Sequence, residues 1–210
     1  MPAIDRQPQA HDLLWGMSAD QLDAGAPDWA RDVLAAGQPV VVRRGPAPQG
    51  QVAVGVRGRS REQRYASWMP LAVIQRRVAP EQLSGAAAGA GQDAWPALRA
   101  LAWLAPQLDA RGLAWGVTGG AGYQLATGVA VLHANSDLDL LLRAAQPLGH
   151  KAAAELLALL DLALCRVDLQ VETPAGAIAL REWAGPAPQV LLKTNHGPRL
   201  VGDPWQEVAA

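Results

Sequence analysis

The strictest alternation of apolar and polar positions runs through Arg166-Val167-Asp168-Leu169-Gln170-Val171-Glu172. Val167, Leu169 and Val171 fall on one side, and Asp168, Gln170 and Glu172 on the other, which predicts a strand over 166–172 with one buried face. Asp137 to Arg143 is apolar nearly throughout, with Leu138, Leu140, Leu141 and Leu142, and predicts a buried strand that opens with two acids. Further strands are expected over Leu113–Val117, over 177–183 after a Thr-Pro-Ala-Gly turn, and over Gln189–Lys193. Helices are expected from Trp95 to about Asp109, interrupted or kinked near Pro106, over Ala121–Thr127, and from His150 to about Leu164.

The N-terminal part reads differently. PDWARDVLAAG predicts a short helix, with Asp28 and Asp32 near its start and Gly37 beyond its end. Pro39–Arg44 and Val52–Arg57 predict strands joined in a hairpin by GPAPQGQ, and Arg61 to Trp68 a turn of helix. Residues 84–92, SGAAAGAGQ, are small and carry no apolar stripe, so they read as a linker between domains at 1–83 and 93–210. The order of elements predicts an α+β fold: a mixed sheet with helices mainly on one face, plus a smaller N-terminal α/β part.

Composition narrows the function classes. A net charge of −1 argues against a general nucleic-acid binder, whose footprint is a basic excess. The one cysteine, Cys165, excludes an intrachain disulfide and fits a reducing cytoplasm. The opening stretch MPAIDRQPQAHDLLWG lacks an apolar h-region, and no uncharged run approaches the ~20 residues of a membrane helix, so a soluble cytoplasmic protein is expected. Eight tryptophans and no phenylalanine suggest that Trp15, Trp29, Trp68, Trp103, Trp115 and Trp183 fill the core, with adenine stacking by Trp15 or Trp68 the alternative.

The candidate chemistry centres on Gly119-Gly120 and Asp137-Leu138-Asp139. Glycines before a helix let phosphate oxygens approach backbone N–H groups. Residues i and i+2 of a strand share a face roughly 7 Å apart, so both carboxylates can hold one divalent cation. Unpaired carboxylates on a buried strand are costly, which calls for a cation, a basic partner or a solvent-filled cleft. If 166–172 pairs beside this strand, Asp168 becomes a third carboxylate, with Glu172 in reserve; the ordinary reading of such alternation is a polar face in water. Together these features suggest metal-assisted transfer of a phosphate-linked group. Arg57, Arg59, Arg61 and Arg64 form a basic cluster at an expected strand-to-helix transition, the ordinary reading being a solvated loop. His11 precedes an apolar run, His133 reads as a loop residue near the carboxylates, and no His/Cys spacing resembles a zinc site.

The glycine turn, helix, Asp-x-Asp and later strand Asp resemble the nucleotidyltransferase superfamily that includes polymerase beta. His11 to Gly16, Pro39 to Arg44, Val54 to Arg59, Ser136 to Asp139 and Gly197 to Leu200, in that order, resemble the phosphoribosyl-dephospho-CoA transferase family of malonate decarboxylase, its holo-acyl-carrier-protein synthases. The resemblance implies a polymerase-beta-like catalytic domain and Mg²⁺ held by Asp137, Asp139 and Asp168. It implies transfer of the 5-phosphoribosyl-dephospho-CoA group from 2′-(5″-triphosphoribosyl)-3′-dephospho-CoA to a serine of the apo acyl carrier protein subunit, with pyrophosphate leaving. Under it, Gly119 and Gly120 would hold phosphates and the four arginines would bind donor or carrier from the N-terminal domain. Lys193, at the end of the last expected strand, is a candidate to stabilise the leaving pyrophosphate, the ordinary reading being an exposed strand-end lysine. Rival readings are a nucleotidyltransferase with another small-molecule or protein acceptor, and a noncatalytic carrier-binding module. One departure stands out: the family usually has Gly-Ser at the turn, where this chain has Gly119-Gly120.

Overall fold

The computed structural model describes residues 7–60, 62–86, 91 and 94–206. It divides into two compact units, Met1–Ala79 and Pro80–Ala210.

In the first unit, β1 (Leu13–Trp15), β2 (Val40–Val42), β3 (Gln51–Arg57), β4 (Arg64–Pro70) and β5 (Arg76–Val78) form an antiparallel sheet in the order β4-β3-β2-β1-β5. Helix α1 (Asp28–Ala35) buries Ala30 and Leu34 in a core shared with Val40, Val42, Val54, Val56 and Met69. The expected hairpin forms, with Val42 opposite Val54.

Arg64–Pro70 corrects the helical turn expected between Arg61 and Trp68. Ser67 and Met69 turn inward while Arg64, Ala66 and Trp68 face out, a period of two that suits a strand. Seven register pairs with β3, from Gln51↔Pro70 to Arg57↔Arg64, then override any local helical preference. The connecting turn is closed by Gln63, whose side-chain oxygen accepts the N–H groups of Arg59 (2.8 Å) and Ser60 (3.1 Å). Trp68 is 45% exposed rather than in the core, its indole N–H donating to the Pro46 carbonyl, and Trp103 is 42% exposed. The three-residue strands β1 and β5 are too short for periodicity to reveal.

The second unit holds a six-stranded sheet in the order β11-β10-β9-β8-β7-β6, built from β6 (Ala114–Val117), β7 (Leu138–Arg143), β8 (Val167–Thr173), β9 (Gly176–Ala179), β10 (Val190–Thr194) and β11 (Gly197–Val201). Among the described residues β7 and β8 run parallel and the other neighbours antiparallel, the mixed sheet of an α+β fold. Helices α2 (Pro96–Asp109), α3 (Gly119–Thr127), α4 (His150–Leu160) and α5 (Leu180–Trp183) complete the unit. Proline opens α2, where its missing N–H is no loss. The helix continues past Pro106, which lies on the exposed side, while Leu101, Leu104 and Leu108 are buried.

Three boundaries differ from expectation. The expected strand 177–183 stops at Ala179, and 180–183 becomes α5, where Trp183 stacks on His150 at 4.0 Å and donates to the Leu148 carbonyl at 2.6 Å. Helix α4 ends at Leu160, leaving Leu162 and Leu164 exposed. The units divide at Ala79–Pro80, ahead of the 84–92 stretch, part of which lies outside the described residues. A 3₁₀ turn at Pro80–Leu83 lies on β6 because Gly116 has no side chain: a Cβ there would overlap the Pro80 and Glu81 backbone. Glu81 then accepts a 2.7 Å bond from Arg143 at the end of β7.

Candidate active site

Parallel pairing of β7 and β8 sets Leu138 opposite Val167 and Asp139 opposite Asp168. Leu138, Leu140 and Leu142, with Val167, Leu169 and Val171, are buried on one face, so the period of two turns Asp139 and Asp168 to the other. Neighbouring strands lie about 4.8 Å apart, within bridging reach for two carboxylates. Asp137 sits one residue ahead of β7, exposed, and by the same alternation on the Asp139 side.

The glycine turn reaches the same place through β6. Val117 pairs with Leu140, and Thr118 donates its N–H to the Asp139 carbonyl at 3.0 Å. Gly119, the first residue of α3, has φ 60°, and a Cβ built on it would overlap the Asp139 carboxylate. Both the backbone conformation and that contact demand glycine. Asp139 therefore lies against the N-terminal turn of α3, where first-turn N–H groups lack intrahelical partners and the helix dipole favours negative charge. Gly120 carries no positive φ.

Local contacts deliver Asp137. The Gln124 side-chain oxygen, on α3, accepts the N–H groups of Val131 and Leu132, each at 3.0 Å. Ser136 Oγ accepts the His133 N–H at 3.0 Å, and His133 Nδ1 accepts from Asn135 at 3.2 Å. His133 thus shapes the turn into Asp137.

Asp168 already has a basic partner. Arg166 donates to its Oδ1 from Nε (3.1 Å) and Nη2 (3.0 Å). Arg181 on α5 bonds Asp161 at 2.6 Å; that bond raises its pKa, and the charge of Asp168 adds to the rise. Burial raises the pKa of the Cys165 thiol, the Asp137 charge raises it further, and the Leu138 backbone hydrogen bond lowers it. Cys165 is thus a half-buried thiol that feels the Asp137 charge. Among the described residues, no three His, Cys, Asp or Glu side chains stand gathered as a metal-holding set. Carboxylate oxygens on adjacent strands are nevertheless the hard donors Mg²⁺ takes, so the residues fit that ion chemically.

Two expected members stand apart. Glu172 lies opposite Arg143, is buried, and accepts 2.7 Å from Gln170, so it belongs to the Arg143–Glu81 network rather than the reserve third carboxylate. Lys193, exposed on β10, sits in the row of Ala177 and Glu172. That is four residues along and two strands across from Asp168, on the order of 16 Å.

Two family models match the chain: the phosphoribosyl-dephospho-CoA transferase MdcG N-terminal domain over residues 9–80 and its C-terminal domain over 82–204. The chain belongs to the phosphoribosyl-dephospho-CoA transferase family. It is 67% identical to the phosphoribosyl-dephospho-CoA transferase of Azotobacter vinelandii, with 97% of each chain covered. It is 63% identical to that of Pseudomonas putida strain GB-1, with 97% of this chain and 98% of the relative covered, and 54% identical to that of Pseudomonas aeruginosa PAO1, with 95% and 94% covered. No solved structure matches. The chain is therefore an enzyme, which sets aside the noncatalytic module.

In this transferase the arginine cluster belongs to the first unit and the carboxylates to the second. Arg57 and Arg64 are direct register partners at the turn end of the β3–β4 hairpin, and exposed Arg59 lies in its turn. The cluster crowns a hairpin, correcting the strand-to-helix transition. Arg61 lies outside the described residues. His11, with φ 75°, donates its N–H to the Val42 carbonyl at 2.8 Å in the first unit. Among the described residues no helix is long and apolar enough to cross a membrane.

Motif reading missed Arg166 and Arg181. A signal for Arg166 was present, since it stands two residues before Asp168 on the same strand face; Arg181 is close only through the fold.

Proposed function

We propose that this transferase moves the 5-phosphoribosyl-dephospho-CoA group from 2′-(5″-triphosphoribosyl)-3′-dephospho-CoA to a serine of the apo acyl carrier protein subunit of malonate decarboxylase. The serine Oγ bonds to the α-phosphorus, the bond from that phosphorus to its β-bridging oxygen breaks, and pyrophosphate leaves. Asp168 takes the serine proton. The observation that carries the reading is Asp139 beside Asp168, in register, with the Asp139 carboxylate against Gly119 at the start of α3. A phosphate at this helix start would meet Asp139, and two anions there repel unless a cation lies between them.

Asp137, Asp139 and Asp168 would hold Mg²⁺, which when bound neutralises phosphate charge and lowers the pKa of a coordinated hydroxyl. The first-turn N–H groups at Gly119 and Gly120 orient the phosphates, since phosphoryl transfer depends chiefly on positioning and charge. Arg57, Arg59, Arg61 and Arg64 supply bidentate contacts to the donor or the carrier. The single cysteine favours a cytoplasmic enzyme.

Intact-mass spectrometry tests the reading. Apo carrier protein incubated with the enzyme, Mg²⁺ and donor should gain the mass of the donor less pyrophosphate, and Asp137→Asn should give no gain. An unmodified carrier alongside labelled transfer to another acceptor would establish the rival nucleotidyltransferase reading.

A further inference from the structure

Arg166 stands within the carboxylate set without being one of the residues assigned above. Its backbone is fixed there: Leu138 and Val167 are register partners, and the Arg166 carbonyl accepts the Leu138 N–H at 2.9 Å. This sets Arg166 beside Asp137 across the ladder, two rows ahead of Asp139 and Asp168. By the alternation of strands, one face of two neighbouring strand ends carries three carboxylates and one guanidinium.

The Arg166–Asp168 pair is open to solvent, with side chains 64% and 43% exposed. Exposed pairs are worth about 0–1 kcal/mol, so this one separates at little cost. Both donating nitrogens reach the same oxygen, so the planar fork is not matched to both carboxylate oxygens. Phosphate oxygens satisfy such a fork well.

We propose that Arg166 binds the donor's phosphates and exchanges partners in doing so: it holds Asp168 in the unliganded enzyme, then moves to triphosphate oxygens, leaving the Asp168 carboxylate able to accept the serine proton. The proposal rests on the reading of Asp168 given above. It accounts for a third carboxylate that is occupied by a cationic side chain before substrate arrives. It also makes acceptance of the proton depend on donor binding.

The test uses full-length Arg166→Gln, Arg166→Lys, Asp168→Asn and the Arg166→Gln/Asp168→Asn double variant. Calorimetry with inorganic triphosphate in EDTA removes any metal from the readout. Arg166→Gln should weaken triphosphate binding about tenfold and Arg166→Lys by less, as loss of a charge-assisted fork predicts. Asp168→Asn, by releasing the guanidinium, should tighten it about two- to fivefold, the worth of an exposed pair. In the Arg166→Gln background that tightening should be largely lost. With Mg²⁺ and the full donor, Arg166→Gln should raise KM more than it lowers kcat at unchanged Tm. Wild-type triphosphate affinity in Arg166→Gln overturns the proposal, as does equal tightening in both backgrounds. Wild-type transfer by Asp168→Asn would instead overturn the parent reading of the carboxylates, an outcome distinct from either.

Discussion

Gly119 lies against the carboxylate of Asp139 so closely that no β-carbon fits between them. Its φ of 60° would strain any other residue as well. Gly119→Ala must displace Asp139 or distort the start of α3. Backbone strain alone costs about 1–3 kcal/mol. Urea denaturation should show a loss of at least that size, together with near-complete loss of transfer; a variant of wild-type stability and activity would break the link between turn and carboxylate.

Asp137 and Asp139 should differ in stability while sharing a loss of activity. Asp137 is exposed, so Asp137→Asn should leave the denaturation midpoint nearly unchanged. Asp139 faces the positive end of α3, and Asp139→Asn should cost about 0.3–1 kcal/mol through the helix dipole. Both should reduce turnover by at least about a hundredfold, as loss of a preorganised electrostatic group does. Near-normal turnover in either variant would remove that residue from the catalytic set.

Gly120 has no positive φ, so serine fits its backbone conformation. Gly120→Ser should fold normally and lower the donor KM by a few-fold, the worth of one added hydrogen bond of about 1 kcal/mol. A raised KM would mean that the closer backbone approach of glycine matters more than the hydroxyl.

Cys165 reports on Asp137. The thiol pKa is raised first by burial and then by the Asp137 charge, so Asp137→Asn removes one of two upward influences. The thiolate should appear at lower pH, and the iodoacetamide-labelling profile should shift the same way. An unshifted profile would mean that the two side chains do not communicate.

Gly116 tests the boundary between the units. A methyl group at Gly116 would displace the Pro80–Leu83 turn from β6, taking with it Glu81 and its 2.7 Å bond to Arg143. Gly116→Ala should destabilise the enzyme by about 1–3 kcal/mol, the cost of overpacking. Isolated residues 80–210 should show the same loss if the turn belongs to this unit.

What could be read from the chain follows from locality. Apolar periodicity exposes strands with one buried face, so β7, β8 and the β2–β3 hairpin are legible, as are the glycine turn and the helices that pack by one stripe. The glycine pair and the Asp-x-Asp spacing carry their chemistry within a few bonds, which is why Asp137, Asp139 and the resemblance they support need no coordinates. Where neighbours decide, the sequence is silent: β4 becomes a strand because β3 lies beside it, and 180–183 becomes α5 because Trp183 meets His150 and Leu148. Lys193 shares the sheet with Asp168, yet register carries it away, while the same register sets Asp168 beside Asp139 and Arg166 beside Asp137. The chain by itself determined which residues are able to do the chemistry. Only the tertiary structure decided which of them meet, because strand order and register are fixed by pairing between segments that no local pattern encodes.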